Sequence, residues 1–351
     1  MRAIFRWTVA SLVLGACAAS VLALWAADAW LADLVVHFRV QYLAIGLVAA
    51  PWFAWRRRWP LAAAAAVAIA LNVGPVVAWF SLPAAALPAE TLAETVADRA
   101  GPVAAAVSPH DAPAEAAPAA VPLRIASANV FFMNRSHAAV IAWARATRPE
   151  VLLFLEATAE WRRALAPLEA EYPYHRYVTD RSHHGLLLLS RWPLSDVVTR
   201  PPQQQNLRPV VFATVTKQGV PLRLAAMHAT WPLRPTEARQ RARDLAALAA
   251  EAARRGPLPF VGIGDLNISP FSPHYQALLR ASGLRSASAG RGWQPTWPAM
   301  FLPLGIQIDH ALVSPEVQVQ AFHRGPANGS DHRPLIVDVI IPSSNRRLER
   351  Q

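Results

Sequence analysis

Cysteine is all but missing from these 351 residues, since Cys17 stands alone. One thiol excludes an intramolecular disulfide and a zinc cage built from cysteines. Lysine is as scarce: Lys217 is the only one, so the basic residues are almost all arginine. With the heavy alanine and proline load, this reads as coding bias, and the preference for arginine itself carries little functional weight. Charge is absent from the whole run Trp7 to Ala27. Internal repeats are absent throughout.

What the chain has in excess is apolar residues. The hydrophobic fraction of 54% and a positive mean hydropathy are high for a purely soluble protein, and the excess is concentrated in the first 82 residues. Trp7–Ala27 is long enough to cross a bilayer, which takes about 20 residues. Asp28, Asp33, His37 and Arg39 then interrupt the apolar run. A second segment, Val40–Trp55, ends in Arg56-Arg57-Arg58, and a third runs from Pro60 to Leu82. Basic residues favour the cytoplasmic side, so Arg2, Arg6 and Arg56–Arg58 are expected inside and the 28–39 loop outside. Three spans would deliver everything after Leu82 outside the cytoplasm, as a multi-pass protein of the inner membrane. A competing reading takes Leu14-Gly15-Ala16-Cys17 as a lipoprotein cleavage site with Cys17 acylated; it delivers the remainder to the same side.

Residues 83–121 are rich in alanine and proline and read as a semi-rigid tether, with a turn or two of helix over Thr91–Arg99. Residues 1–121 carry seven arginines and seven acids, so the whole net charge of +11 resides in 122–351. A basic domain suits phosphate-bearing partners or an anionic membrane surface.

From Leu123 strands and helices alternate. Strands are expected at Leu123–Val130, Val151–Leu155, Tyr174–Val178, Gly185–Ser190, Val210–Thr216, Leu222–Ala226, Phe260–Ile263, Gln307–Val313 and Leu335–Ile340. Helices are expected at Ala138–Thr147, Ala159–Ala170, Pro235–Arg255 and His274–Ser282. Antiparallel hairpins with helices between them predict an α/β fold. Its form is a four-layer α/β/β/α sandwich over 122–342, preceded by the membrane helices and followed by a polar tail, 343–351.

The stretch Pro259-Phe-Val-Gly-Ile-Gly-Asp-Leu-Asn-Ile-Ser-Pro270 organises the rest. Asp265 and Asn267 follow the end of a buried strand, and residues two apart there point the same way. The carboxylate can orient or deprotonate a water, and the amide can hold an oxygen without adding charge. Four further points share the strand-end position: Asn129, Glu156, His228, and Asp309 together with Asp331-His332. Carboxylate and amide oxygens are what a hard Mg²⁺ or Mn²⁺ ion takes. Histidines beside carboxylates are what phosphate-ester cleavage uses for proton delivery and charge stabilisation.

The order and spelling of these segments resemble the endonuclease/exonuclease/phosphatase (DNase I-like) superfamily. The segments are Ala128-Asn129-Val130, Leu152-Leu-Phe-Leu-Glu156, Gly185-Leu-Leu-Leu-Leu-Ser-Arg191, Met227-His228-Ala-Thr230, Gly264-Asp265-Leu-Asn267, Ile308-Asp309-His310 and Ser330-Asp331-His332-Arg-Pro334. One departure is that Leu155 stands where the family usually has Gln before the metal-binding Glu. The resemblance implies a divalent ion on Glu156, with Asn129 and Asp331 completing or supporting the site. It implies that Asp265 activates the attacking water and Asn267 holds phosphate or nucleophile. His332, oriented by Asp309, would stabilise the developing charge, and His228 would assist the leaving group or bind a phosphoryl oxygen. His183, His184, His274, His310 and His323 read as solvated or structural. With three spans ahead of it, the domain resembles the membrane-anchored bacterial branch that includes teicoplanin-resistance proteins. That implies a membrane lipid or lipid-linked phosphate as substrate and no obligate protein partner. DNA or RNA is the second substrate reading, and a non-catalytic binding protein the third.

Overall fold

The computed structural model describes residues 2–82, 120–179, 184–200 and 208–343. The tether over 83–121, except its last two residues, lies outside them, as do His183 and the polar tail after Ser343.

Four helices open the chain: α1 (Arg2–Leu22), extended by a 3₁₀ turn at Ala23–Trp25, α2 (Trp30–Val36), α3 (Arg39–Trp55) and α4 (Trp59–Phe80). Two of them, over Trp7–Trp25 and Trp59–Phe80, are long and apolar enough to cross a membrane; α2 and α3, bent by 61° at their junction, make a third candidate. The stretch 28–39, expected as a loop between spans, is largely helical, since α2 occupies most of it. Trp7, Leu14, Val48, Trp55 and Trp59 project from the bundle with more than half their surface exposed, the side-chain type that faces lipid or its interface. Gly46 lets α3 and α4 touch: a Cβ there would sit 2.8 Å from the Ile69 side chain and 2.9 Å from Ala65 O. A polar thread joins three helices. Arg39 donates to Leu71 O and Asn72 Oδ1, and Asn72 donates to Ser20 Oγ at 2.7 Å.

The remaining strands are β1 (Ala120–Asn129), β2 (Val151–Leu155), β3 (Tyr174–Val178), β4 (Leu186–Ser190), β5 (Leu194–Arg200), β6 (Val210–Lys217), β7 (Val220–His228), β8 (Phe260–Asp265), β9 (Arg285–Ser286), β10 (Asp309–Val313), β11 (Gln318–Arg324) and β12 (Leu335–Pro342). They form two six-stranded sheets, ordered β11-β12-β1-β2-β4-β3 and β5-β6-β7-β8-β10-β9. Pairing is antiparallel except between β1 and β2 and between β7 and β8, which makes both sheets mixed.

Period-two alternation fills the layers. Along β2, Val151, Leu153 and Leu155 join the core between the sheets, while Leu152 and Phe154 turn to the outer face. There α5 (His137–Thr147) and α6 (Ala159–Leu165) cover them with Val140, Trp143, Trp161 and Leu165. On the other sheet Leu224, Val261 and Ile263 face inward, and Phe212, Ala225 and Phe260 face out. They are capped by α7 (Pro235–Arg254) and α8 (Pro273–Ser282) through Leu245, Leu248, Tyr275 and Leu278. The result is the four-layer α/β/β/α sandwich. Trp79 of α4 also packs into this outer layer, edge-on to Tyr275 at 6.1 Å between ring centroids. The N-terminal helices therefore dock directly on the sandwich.

Candidate active site

The parallel β7–β8 pair sets His228 directly beside Asp265, and the antiparallel β8–β10 pair sets Asp309 on the other side of Asp265. Three functional side chains thus come side by side from strand register alone. Gly264 makes the close approach possible. Its φ is +142°, and a Cβ there would lie 1.9 Å from Met227 O. No other residue fits immediately before Asp265 without moving β7.

Asp265 is wholly buried, accepts two hydrogen bonds and stands close to two imidazoles. Asn267 N donates to Oδ1 at 2.9 Å and Asn129 Nδ2 to Oδ2 at 3.2 Å; His228 Nε2 lies 3.4 Å and His332 Nε2 3.8 Å from Oδ2. Burial, reinforced by the charge of Asp309, pushes its carboxyl up to about 7. His332 Nδ1 contacts Asp309 Oδ2 at 2.9 Å. Burial alone would lower the His332 imidazole, but Asp309 and Asp265 outweigh it and raise it to about 10. His332 is therefore an imidazolium at neutral pH, held between two carboxylates.

His228 is oriented from both sides. Arg208 Nη1 stands 3.3 Å from Nδ1, and a guanidinium can only donate, so Nδ1 accepts and Nε2 carries the proton toward Asp265. An arginine, rather than a carboxylate, therefore sets the tautomer of His228. Past β7, Thr230 donates through N and Oγ1 to Asp244 Oδ2, fixing the following loop. Asn267 sits in the left-handed region at φ +50° and gives its amide NH₂ to Ala229 O at 2.9 Å.

Glu156 also has a left-handed backbone, φ +56°, immediately after β2. Its oxygens accept from Asn129 Nδ2 and Phe132 N, both at 3.1 Å. Asn129 thereby spans Glu156 and Asp265, the carboxylates of the two sheets. Ser330 Oγ donates to Asn129 O at 2.7 Å and tethers the Ser330-Asp331-His332 turn to the end of β1. Asp331 accepts from Trp297 Nε1 at 3.2 Å through Oδ2, while Oδ1 is buried with no hydrogen-bond partner. Leu155 faces the inter-sheet core, so no polar side chain precedes Glu156.

All eight sequence-predicted residues meet on one rim. Six of them, Glu156, His228, Asp265, Asn267, Asp331 and His332, line a single cavity of about 620 Å³, and Asn129 and Asp309 hold those from behind. The donor set fits a hard divalent cation: carboxylate oxygens from Glu156 and Asp331, one of them buried and unpartnered. Asp265, Asp309 and His332 also converge, with one ligand atom each within 4.8 Å of the others. Within that cluster Asp309 Oδ2 and His332 Nδ1 are already engaged with each other at 2.9 Å, whereas Asp331 Oδ1 has no hydrogen-bond partner among the described residues. This favours the Glu156/Asp331 side for the ion. His310, expected to be solvated or structural, is buried and donates Nε2–H to Ile268 O at 2.8 Å; burial pushes its imidazole down to about 4.

Several cavity residues escaped the sequence reading. Phe131, Phe132, Met133, Trp231 and Leu233 form apolar walls, Leu34 comes from α2, and His37 and Phe38 come from the junction of α2 with α3. Their only sequence signal is apolar residues placed directly after motif residues Asn129 and His228.

The sequence profile of the Endonuclease/Exonuclease/phosphatase family matches residues 126–332. No curated protein matches the chain. Among solved structures, the chain is similar to an endonuclease/exonuclease/phosphatase from Beutenbergia cavernae (20% identity, 64% of this chain and 72% of that one, TM-score 0.54). It is similar also to one from Bacteroides vulgatus (17%, 62% and 98%, TM-score 0.53). A third is D. rerio TDP2 complexed with a single-strand DNA product (16%, 62% and 98%, TM-score 0.52). At such identities these structures share the fold, and the profile match supplies the assignment: the chain belongs to the endonuclease/exonuclease/phosphatase family, whose members are divalent-metal-dependent phosphoesterases and nucleases.

Proposed function

We propose that this protein is a membrane-anchored, divalent-metal-dependent phosphoesterase that cleaves a phosphate ester or pyrophosphate of a membrane lipid at the outer face of the cytoplasmic membrane. The observation that carries the reading is the cavity itself. Its lining joins polar Asp265, His228 and His332 to apolar Phe131, Phe132, Trp231 and Leu233, and to Leu34 and Phe38 of the bent α2–α3 pair. A phosphorylated head group matches the first and a hydrocarbon chain the second. Met133, Trp231, Leu233, Phe301 and Leu304 around this face are half-exposed or more, as suits loops resting in a lipid interface.

Topology supports the outer face. Gln41, near the start of α3, donates to Gly305 O at 2.7 Å, and Trp79, near the end of α4, packs on Tyr275. Arg56–Arg58 lie at the other ends of the same two helices, about 20 Å away along α3 and about 30 Å along α4 at 1.5 Å per residue. The sandwich thus sits opposite the basic cluster that marks the cytoplasmic side.

In this reading Asp265 takes a proton from water as its oxygen bonds to phosphorus, and the ester P–O bond breaks in line. His332⁺, fixed by Asp309, stabilises the oxygen charge that builds up. His228, its tautomer set by Arg208, presents Nε2–H toward the departing oxygen. A divalent ion on Glu156 and Asp331 would polarise the phosphoryl oxygens. The basic balance of residues 122–351 supports a second reading, an extracytoplasmic nuclease.

The test is the full chain in lipid nanodiscs with Mg²⁺, given a polyprenyl pyrophosphate and plasmid DNA in parallel. Phosphate release from the lipid, abolished by EDTA and by His332→Ala, is expected. Cleavage of the plasmid alone would replace this reading with the nuclease.

A further inference from the structure

The junction of α2 and α3 does more than connect two helices. Asp33 of α2 is buried at 2% exposure, forms an ion pair with Arg241 of α7, and accepts from Ser272 Oγ. Arg241 in turn donates through Nη1 to Asn267 O at 2.9 Å. One guanidinium therefore clamps the bend of the membrane helices to the residue two beyond Asp265.

His37 stands at that bend, 6% exposed, and borders the cavity. Its Nδ1 lies 2.9 Å from Ser269 Oγ and also receives Ser269 N at 3.4 Å. A backbone N–H can only donate, so Nδ1 is an acceptor, and the proton of the neutral ring sits on Nε2. Nε2 is buried and has no hydrogen-bond partner among the described residues. Buried polar groups are rarely left so, and those that are need an explanation. Here a donor from the membrane helices borders the same cavity as Asp265 and His332, flanked by Leu34 and Phe38.

We propose that His37 is a substrate-binding residue supplied by the membrane helices. Its Nε2–H donates to an oxygen of the phosphate-bearing head group, while Leu34 and Phe38 receive the first part of the apolar chain. The site is then incomplete without the anchor. The proposal rests on the lipid phosphoesterase reading for the identity of its ligand. Its chemistry is neutral-donor recognition of a phosphoryl or pyrophosphoryl oxygen beside hydrocarbon, a combination that a free inorganic phosphate would satisfy only in part.

Two measurements on the full chain in nanodiscs test it. The first uses wild type and a polyprenyl phosphate with a diazirine in its first isoprene unit. Photolabelling is expected at residues 34–38, competed by unlabelled polyprenyl phosphate but not by equal inorganic phosphate. Label confined to the lipid-facing surfaces of the other helices would overturn the proposal, whether or not any ester is hydrolysed. The second compares His37→Ala and His37→Gln on polyprenyl pyrophosphate. His37→Ala is expected to raise KM about tenfold, the scale of one hydrogen bond, with kcat changed far less. His37→Gln, which keeps an N–H donor, is expected to recover part of it. An unchanged KM in a well-folded His37→Ala would refute the assignment. Absence of turnover by wild type with labelling at the hinge would sink the phosphoesterase reading and leave His37 as a lipid-phosphate contact.

Discussion

Two buried charge clusters in this molecule are built on opposite plans. At the junction of helices and sandwich, one carboxylate meets one guanidinium, Asp33 with Arg241, and Ser272 Oγ and Asn267 O add a hydrogen bond to each. At the rim, two carboxylates, Asp265 and Asp309, share one imidazolium, His332, with a neutral imidazole, His228, beside them. The junction is charge-balanced with few free valences. The rim carries two acids whose charges oppose each other, and Asp331 Oδ1 nearby has no partner. A closed pair holds parts in place, whereas an open cluster is ready to accept a proton, a cation or a phosphoryl group.

Breaking the closed pair has the largest expected effect on stability. Arg241→Met leaves Asp33 buried without its countercharge, a change of about 3–5 kcal/mol. The double variant Asp33→Leu/Arg241→Met removes both charges and is expected to recover at least half of that loss. Thermal unfolding of the full chain in detergent measures both. A single variant as stable as wild type would mean that the junction is not a clamp.

Breaking the open cluster is expected to do the reverse. Asp265→Asn should lower kcat by about 10²–10³-fold, the scale of removing one positioned catalytic group. Its melting temperature should hold or rise, because a buried carboxylate crowded by Asp309 is gone. Turnover assays and melting curves on one preparation decide the matter; a large loss of stability with activity retained would reverse the roles assigned to rim and junction. Arg208→Ala is a smaller perturbation of the same cluster. It leaves His228 free to choose its tautomer, and a loss of about tenfold in kcat is expected, near the cost of one charge-assisted hydrogen bond.

The rim was legible in the sequence and the junction was not, for reasons of spacing. Asn129, Glu156, His228, Asp265 and Asp309 each follow or end a short apolar run, so period-two strands deliver them to one edge. Asp33 meets Arg241 and Ser272, and His37 meets Ser269, across more than 200 residues of chain with no pattern at either end. Charges at Asp33 and His37 read as a loop because lipid excludes them; their burial against the sandwich turned that stretch into α2 instead. The strands β5 and β11 were missed because both lie on sheet edges and carry irregular register, between Ser195 and Val198 and between Val319 and Ala321. Such slips erase the alternation that identifies a strand. Arg208 was one arginine among many, and only its distance to His228 Nδ1 singles it out.

The finest difference between the two clusters is their response to pH. Asp265 must be ionised to take a proton from water, and burial with Asp309's charge lifts it to about 7. His332 must be protonated to stabilise oxygen charge; against the effect of burial, Asp309 and Asp265 keep it so up to about 10. Activity is therefore expected to rise through about pH 7, stay level, and fall near pH 10, with both limbs belonging to the coupled cluster as a whole. For stability the signs agree. His332, raised above its unfolded value, contributes fully below about 6.5 and loses that contribution as pH rises through 10; Asp265, also raised, disfavours the folded state as it ionises between about 4 and 7. Unfolding measured in EDTA should thus become easier from pH 4 to 10. Asp309→Asn removes the neighbour that contributes, after burial, to both shifts. It should move the acid limb and the alkaline limb of the rate profile downward together. The Asp33→Leu/Arg241→Met double variant should move neither. If it moves them as far as Asp309→Asn does, the two clusters are one electrostatic unit and the division between clamp and catalytic rim does not hold.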